Sequence, residues 1–254
     1  MKPAAIGRIL LWRGGSLWIG RGGGQPTDFH SHHALQLTLG FPGASIRLRR
    51  RGGRWITYAA SIIAAQQVHS FDASDQYVAT IFIEPESKWG WLLQRRYRDV
   101  GIQALPPNML VDEATSLANA YAARASDADL IALARAAIAR LCNDGSLPGA
   151  ALDPRIERAV ARVRSQLDRV VPLRDIAASV HLSPERFRHL FLAQTGVRFR
   201  AYVLWLRLEI ALEAYVEGQS LTDAAQAGGF ADSAHLSRTF KKMFGITAAS
   251  VLAE

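Results

Sequence analysis

Cysteine is almost missing from this chain: Cys142 is the only one in 254 residues. It offers no internal disulfide and no thiolate zinc site, so a reducing, cytoplasmic compartment is the expectation. Long apolar runs are lacking as well. No stretch approaches the roughly 18–20 uninterrupted apolar residues of a bilayer span, and the apolar segment from Ile9 to Trp12 stops at Arg13. Neither secretion nor membrane insertion is expected. Lysine is scarce too, with Lys2, Lys88, Lys241 and Lys242 the only ones among 30 basic residues. Arginine's planar fork suits phosphates and guanine edges, although a GC-rich coding sequence explains the same bias equally well. Against 22 acidic residues the formal net charge is +8, spread over both halves. Charge therefore permits a nucleic-acid partner without locating one.

What is present is globular material. An apolar share of 49%, a charged share of 20% and a mean hydropathy of +0.03 exclude disorder, collagen and coiled-coil rods, and the length suits one or two domains. Up to about residue 86 the chain is rich in glycine, turn signals and short alternating runs. Leu35 to Leu39, Ile46 to Arg49 and Tyr77 to Ile83 read as strands, spaced too densely for anything but a barrel or sandwich. From Asp112 onward the period changes. Leu130, Leu133, Ala134, Ala137, Ile138 and Leu141 recur at three and four, with Asp127 and Asp129 near the start and Asn143-Asp-Gly-Ser after the end. That is an amphipathic helix closed by a turn. The helices between Asp112 and Leu141 suit either a cover for the strands or, preferably, a homodimer seam. A linker is expected at Gly145-Ser-Leu-Pro-Gly149, before an all-helical part beginning near Asp153-Pro154, where proline suits a first helical turn. The expected class is α+β with two domains, 1–145 and 150–254.

The last part repeats itself at an offset of 48 to 49 residues. Asp175-Ile-Ala-Ala178 aligns with Asp223-Ala-Ala-Gln226, and Phe187, Leu190, Phe191 and Gly196 align with Leu236, Thr239, Phe240 and Gly245. Each copy, about 171–196 and 219–245, reads as a short helix, a turn and a second helix with a buried face four residues apart. Ser183 before Pro184 caps the first of these second helices, and Asp232 or Ser233 the other. Solvent then meets Glu185, Arg186, Arg188 and His189 in the first copy. In the second it meets Ser233, Ala234, His235, Ser237, Arg238 and Lys241, with Lys242 beside the last. Arginine can read guanine, while serine and the free N–H groups of a helix start suit phosphates. Phe199, Tyr202, Val203, Leu206 and Ile210 mark one continuous helix between the copies, long enough to set them about one turn of duplex apart, roughly 34 Å.

The segment from Val171 to Leu252 closely resembles the C-terminal DNA-binding domain of AraC/XylS-type transcription regulators, most specifically over Gly229-Phe-Ala-Asp-Ser-Ala-His-Leu-Ser-Arg-Thr-Phe-Lys-Lys-Met-Phe-Gly-Ile-Thr247. The resemblance implies two helix-turn-helix modules, with base or phosphate contacts from Glu185, Arg188 and His189 and from Ala234, Ser237 and Arg238. Glu185 and Ala234 depart from the longer polar or aromatic side chains common there, and no proline follows Thr247, so the target sequence does not transfer.

Members of that family commonly carry a cupin-like β-barrel first. His30-Ser-His32-His-Ala-Leu-Gln36 resembles the first cupin motif, with Gln36 in place of glutamate. His69 stands where the second motif supplies its histidine, Ala64 and Gln66 replacing the usual proline and glycine. Residues 30, 32 and 36 share one face of a strand, so two imidazoles and an amide oxygen can converge with His69, suiting zinc, iron, nickel or copper. The alternative is that these histidines bond an organic effector or each other. Trp55 and Phe82 are candidate apolar walls of the pocket, and His33, of opposite parity, is expected to be packed or at the rim. The arginines from Arg47 to Arg51 with Arg54 read first as a solvated hairpin edge.

The expected function is a DNA-binding transcription regulator, not an enzyme, whose first domain senses a small molecule or metal and requires no cofactor. Its expected partners are duplex DNA, that effector and a second copy, with RNA polymerase a further candidate. The alternative is a metal-dependent cupin enzyme with a DNA-binding appendage. A DNA-repair role would need a reactive thiol, and Cys142 has no nucleophile setting.

Overall fold

The computed structural model describes residues 5–142, 152–167 and 170–252. The expected linker at Gly145 to Gly149, and with it the domain boundary, lies outside the described residues.

The first 83 residues make eight strands: β1 Ala5–Trp12, β2 Gly15–Gly22, β3 Leu35–Gly40, β4 Ile46–Arg50, β5 Ile56–Tyr58, β6 Ala60–Ile63, β7 His69–Asp72 and β8 Tyr77–Ile83. Helix α1 Lys88–Tyr97, strand β9 Ile102–Ala104, and helices α2 Val111–Ala122 and α3 Asp127–Cys142 follow. The strands form two sheets, one ordered β10-β1-β2-β8-β3-β6-β9 and the other β5-β4-β7, where β10 is Val251–Leu252 from the end of the chain.

The expected closed barrel is not formed. Strand β7 pairs with β4 on one side. Its other edge meets only the irregular segment 27–30, through Thr27 N–H to Phe71 O at 2.8 Å and a reciprocal pair between His30 and His69 at 2.9 and 3.0 Å. That segment is too short to continue the ladder into β2, so the sheets stay open there, and Phe244 and Ile246 of the C-terminal half line the opening.

Alternation along β3 decides what covers each face. Leu35, Leu37 and Leu39 are fully buried and form one cluster with Leu117 of α2 and Leu130, Ala134, Ile138 and Leu141 of α3. The stripe read as a preferred dimer seam is therefore used within one chain, because the sheet's leucines would otherwise face water. Gln36 and Thr38, on the opposite face, are also buried, and that face looks toward the C-terminal helices.

Those helices are α4 Pro154–Arg164, α5 Leu173–Ser179, α6 Pro184–Thr195, α7 Phe199–Val216, α8 Leu221–Ala227 and α9 Ser233–Phe244. Asp153 caps α4 with Pro154 in its first turn. Ser183 and Asp232 cap α6 and α9, each accepting a backbone N–H three residues on, at Arg186 and His235. Both helices end in a left-handed glycine, Gly196 at φ 74° and Gly245 at φ 70°, a conformation that frees the last carbonyls to be bonded without a Cβ penalty. The rings of Phe187 and Phe191 meet Phe199 at the start of α7 at 5.3 and 5.4 Å. Ile9, Ala34, Phe82 and Trp91 of the first half belong to the same buried cluster as these aromatic residues. The two halves thus share a core, and β10 pairs in parallel with β1 as a second tie. No helix among the described residues is long and apolar enough to cross a membrane.

Candidate nucleic-acid interface and effector cavity

Helix α6 hides Phe187, Phe191 and Thr195 and exposes Ser183, Glu185, Arg186, Arg188 and His189. Helix α9 hides Leu236, Thr239, Phe240 and Phe244, leaves Ser233, His235 and Ser237 half-buried, and exposes Ala234, Arg238, Lys241 and Lys242. The residues singled out for contact thus lie on the outer faces of both helices. Pair chemistry adds what spacing did not reveal. The Glu185 carboxylate accepts from Arg188 at 2.6 Å and sits 2.9 Å from His189 Nε2, so part of the α6 face is engaged with itself.

Helix α9 is docked on the first half by its C-terminal end. Phe244 packs on Trp18 at 4.7 Å and Phe240 stacks over it at 6.2 Å. Asp28 N–H donates to Gly245 O at 2.9 Å, and the Asp28 carboxylate pairs with Lys241 at 3.1 Å. Asp28 was not among the residues singled out in the sequence, and nothing local marks it, since its partners lie more than two hundred positions away. A Cβ on Gly245 would come 2.4 Å from Asp28 O and 2.6 Å from His30 Nδ1. Gly245→Ala is therefore expected to cost at least about 1–3 kcal/mol from the left-handed backbone alone, with the clash against rigid backbone adding to it. Thermal denaturation checks this, an unchanged midpoint being the contrary result.

Around that dock lie the four candidate ligating residues. Gln36 lies on β3 and His69 opens β7, while His30 and His32 belong to the irregular segment before β3. They converge nonetheless. His30, His32 and His69 are 6%, 2% and 0% exposed, with ring centroids 4.2 Å apart for His30 and His69 and 5.4 Å apart for His32 and His69. One ligating atom from each lies within 4.8 Å of the others. Each Nδ1 is tied to a backbone carbonyl, at Asp28 (2.9 Å), Ala34 (2.7 Å) and Gln67 (2.9 Å). Burial lowers the His30 pKa to about 4. Burial and then the nearness of His30 take His32 to about 3, and burial with the other two imidazoles holds His69 well below its ordinary value. All three rings are neutral at physiological pH. The Gln36 carboxamide lies 3.0 Å from His32 Nε2, while the buried His69 Nε2 has no protein partner among the described residues.

A cavity of about 120 Å³ adjoins this cluster, lined by His30, Gln36, Trp18 and Phe82 from the first half and by Phe244 and Ile246 from the second. Trp55 does not line it. That ring lies just before β5, the edge strand of the small sheet, where Arg49 of β4 stacks over it at 4.6 Å and Arg47 at 5.6 Å. His33, expected to be packed or at the rim, is buried with Nε2 2.7 Å from Glu86, and its ring lies against Tyr202 and Trp205 and not with the β3 leucines that share its parity.

His33 opens onto a second seam between the halves. Arg164 of α4 pairs with Glu84 and lies 3.9 Å from both Glu86 and Glu209 of α7. Burial and Glu86 push Glu84 up; burial and Glu84 push Glu209 well above its ordinary value. For Glu86 burial is the largest influence and acts upward, but His33, a backbone hydrogen bond and Arg164 together outweigh it and its pKa falls. None of these acids was singled out in the sequence, where Glu84-Pro-Glu86 looks like an ordinary strand exit.

Two short-helix pairs at either end of a long helix, docked on a sheet-rich half with a cavity at the seam, define a two-part protein. Comparison with known proteins gives the C-terminal part a family. Residues 176–254 match the helix-turn-helix domain family, and the chain carries an AraC-type domain of that kind there. Over 98 residues the chain is 35% identical to the HTH-type transcriptional regulator YidL of Escherichia coli strain K12, covering 38% of this chain and 33% of that one. It is 27% identical over 86 residues to the probable transcriptional regulator LumQ of Photobacterium leiognathi, covering 34% and 35%. These matches span about a third of the length of the curated relatives. The whole fold is similar to the crystal structure of ToxT from Vibrio cholerae O395, with a TM-score of 0.58 at 14% identity over 94% of this chain and 96% of that one.

Proposed function

We propose that the protein is an effector-responsive transcription regulator that holds duplex DNA with two helix-turn-helix modules and has no enzymatic role. One observation carries this reading: α6 and α9 are capped alike, end alike in a left-handed glycine, and turn a polar, largely basic face outward from the two ends of α7. Helix α7, 18 residues long, measures about 27 Å at roughly 1.5 Å per residue. With the width of the modules, this suits successive major grooves about 34 Å apart. Arg188 and Arg238 are the base readers, Ser183, Ser233 and the helix starts meet phosphates, and Lys241 and Lys242 meet the backbone. Because Glu185 engages Arg188 and His189, α9 supplies the larger share of affinity.

In this reading the cupin-like first half is the sensor. Its cavity shares Phe244 and Ile246 with the reading half, so a ligand there touches the end of α9 itself. Such a ligand alters DNA binding only to the extent that it prefers one docking state of α9 over another. The lining is mainly apolar, and a structure of ToxT from Vibrio cholerae strain SCE256 has an unsaturated fatty acid bound, which supports an apolar small molecule as effector. A second copy of the chain and RNA polymerase complete the expected partners, in the cytoplasm.

The test is fluorescence anisotropy with duplexes from the region upstream of its own gene and scrambled controls, across a range of salt. Sequence-selective, salt-dependent binding is expected, and its absence at every salt concentration overturns the reading. Arg238→Ala is expected to lose about 1–3 kcal/mol of specific binding and relax preference at one position. If selectivity survives and only the salt slope shrinks, Arg238 contacts phosphate instead.

A further inference from the structure

The arginines of the β4–β5 hairpin do not sit where a guard against strand-on-strand pairing would. In the small sheet β4 is the middle strand, and the edge strand β5, Ile56–Tyr58, carries no charge. Ile46 and Leu48 point inward, 0% and 1% exposed, so Arg47 and Arg49 share the outward face, with Arg51 just beyond the strand. Arg49 lies between two rings, 4.9 Å from Phe29 and 4.6 Å from Trp55, and Arg51 lies over the Phe29 ring at 5.3 Å. Stacking occupies the flat face of a guanidinium and leaves its in-plane N–H groups free for an anion. Two of the arginines are already engaged: Arg47 pairs with Asp72, and Arg50 donates to Val100 O and Ile102 O at 2.7 and 3.2 Å. Arg49, Arg51 and Arg54 enter no ion pair among the described residues. From Phe29 to Phe71 the sequence holds five arginines and neither Asp nor Glu, a net +5 within a chain of net +8.

This surplus of positive charge adjoins the helical half. Phe29 follows Asp28, whose carboxylate takes Lys241 at 3.1 Å, and Lys241 is exposed on α9 about one turn past Arg238. Basic residues of both halves thus flank Asp28. We propose that Arg49, Arg51 and Arg54, set in place by Phe29 and Trp55, form a second DNA contact, which grips backbone phosphates of the duplex beside the stretch read by α9 and has no sequence preference. The free edges of the guanidiniums match phosphate oxygens two at a time. Unpaired bases are the poorer match, because a base needs an open ring to stack on, and each of these rings already carries two guanidiniums. The patch belongs to the first half and α9 to the second, so a duplex gripped by both favours the arrangement in which α9 is docked. This deepens the regulator reading, and rests on it for the place of α9 on the duplex.

The test is fluorescence anisotropy on the full-length chain with Arg51→Gln and Arg54→Gln combined, both side chains being exposed. Against wild type, the slope of log affinity on log salt is expected to fall by about 1–2, as for one or two phosphates lost at roughly 0.9 each. Affinity at low salt is expected to fall about tenfold, on selected and scrambled duplexes alike. Shortening the selected duplex by about ten base pairs, one helical turn, at one end and not the other is expected to cost wild type a similar factor and the variant little. Circular dichroism checks that the variant folds; if it does not, the wild-type shortening series decides. A folded variant with wild-type slope and affinity overturns the grip, as does shortening that costs neither protein or both alike. A loss confined to the selected duplex also overturns it, since phosphates carry no sequence. A wild type that prefers no duplex, with the variant still losing slope, keeps the grip and overturns the regulator reading. Failure of the wild type to bind any duplex overturns both.

Discussion

Arg164→Met is expected to lower stability by about 3–5 kcal/mol at neutral pH, read by chemical denaturation. Arg164 is the cation facing Glu84, Glu86 and Glu209, with His33 the other basic group of the cluster. Both Glu84 and Glu86 side chains are 2% exposed. Removing one partner of a buried pair leaves the other charge dehydrated and unpaired, which costs far more than the pair itself contributes. Glu84 already stands above its ordinary pKa through burial and Glu86, and without the guanidinium it rises further. A carboxylate whose folded pKa lies above its unfolded value destabilises the fold at high pH and ceases to do so as pH falls toward that unfolded value. The deficit of Arg164→Met against wild type should therefore shrink between pH 7 and pH 5, and the double variant with Glu84→Gln should recover much of it at pH 7. A deficit that stays the same from pH 7 to pH 5 would show that Arg164 stabilises the seam by packing and not by charge.

Phe240→Ala is expected to cost about 3–5 kcal/mol, the usual consequence of emptying an aromatic site in a core. Phe240 is 2% exposed, lies 4.8 Å from Phe244, and stacks over Trp18 across the seam. Unlike Phe187, whose ring contacts are with Phe191 and Phe199 of the helical half, it serves both the α9 core and the dock on the sheet. The variant should therefore also change the emission of Trp18 before global unfolding. An unchanged melting temperature would contradict its place in the core.

The helical half was largely legible because its information is local. Ser183-Pro184 and Asp232 start helices, Gly196 and Gly245 end them, and Phe187 and Phe191 or Leu236 and Phe240 bury one face. A repeat detected by sliding the chain along itself reappears as two helix pairs with matching ends. The strands were also legible from alternation. Closure was not, because whether a sheet joins into a barrel depends on which edge segment 27–30 finds, and no local pattern encodes that. Trp55 failed as a pocket wall for a related reason. An aromatic beside a strand reads as buried, yet Trp55, just before β5 and next to arginines, stacks on their guanidiniums.

The candidate site divides in the same way. His30, His32, Gln36 and His69 were found by motif spacing, although two of them do not lie on the strand that the parity argument assumed. Asp28, Arg164 and the Glu84–Glu86 pair were not found.

By itself, then, the amino-acid order determined the elements, their caps and the outward faces of α6 and α9, because periodicity and capping are settled within a few residues along the chain. Only the tertiary structure decided that the leucine-rich sheet face takes up α3, that the sheets remain open, and that α9 rests on the histidine-bearing segment through Asp28. Those outcomes depend on which distant surfaces exclude water together and which buried charges find partners, and such partners are neighbours in space alone.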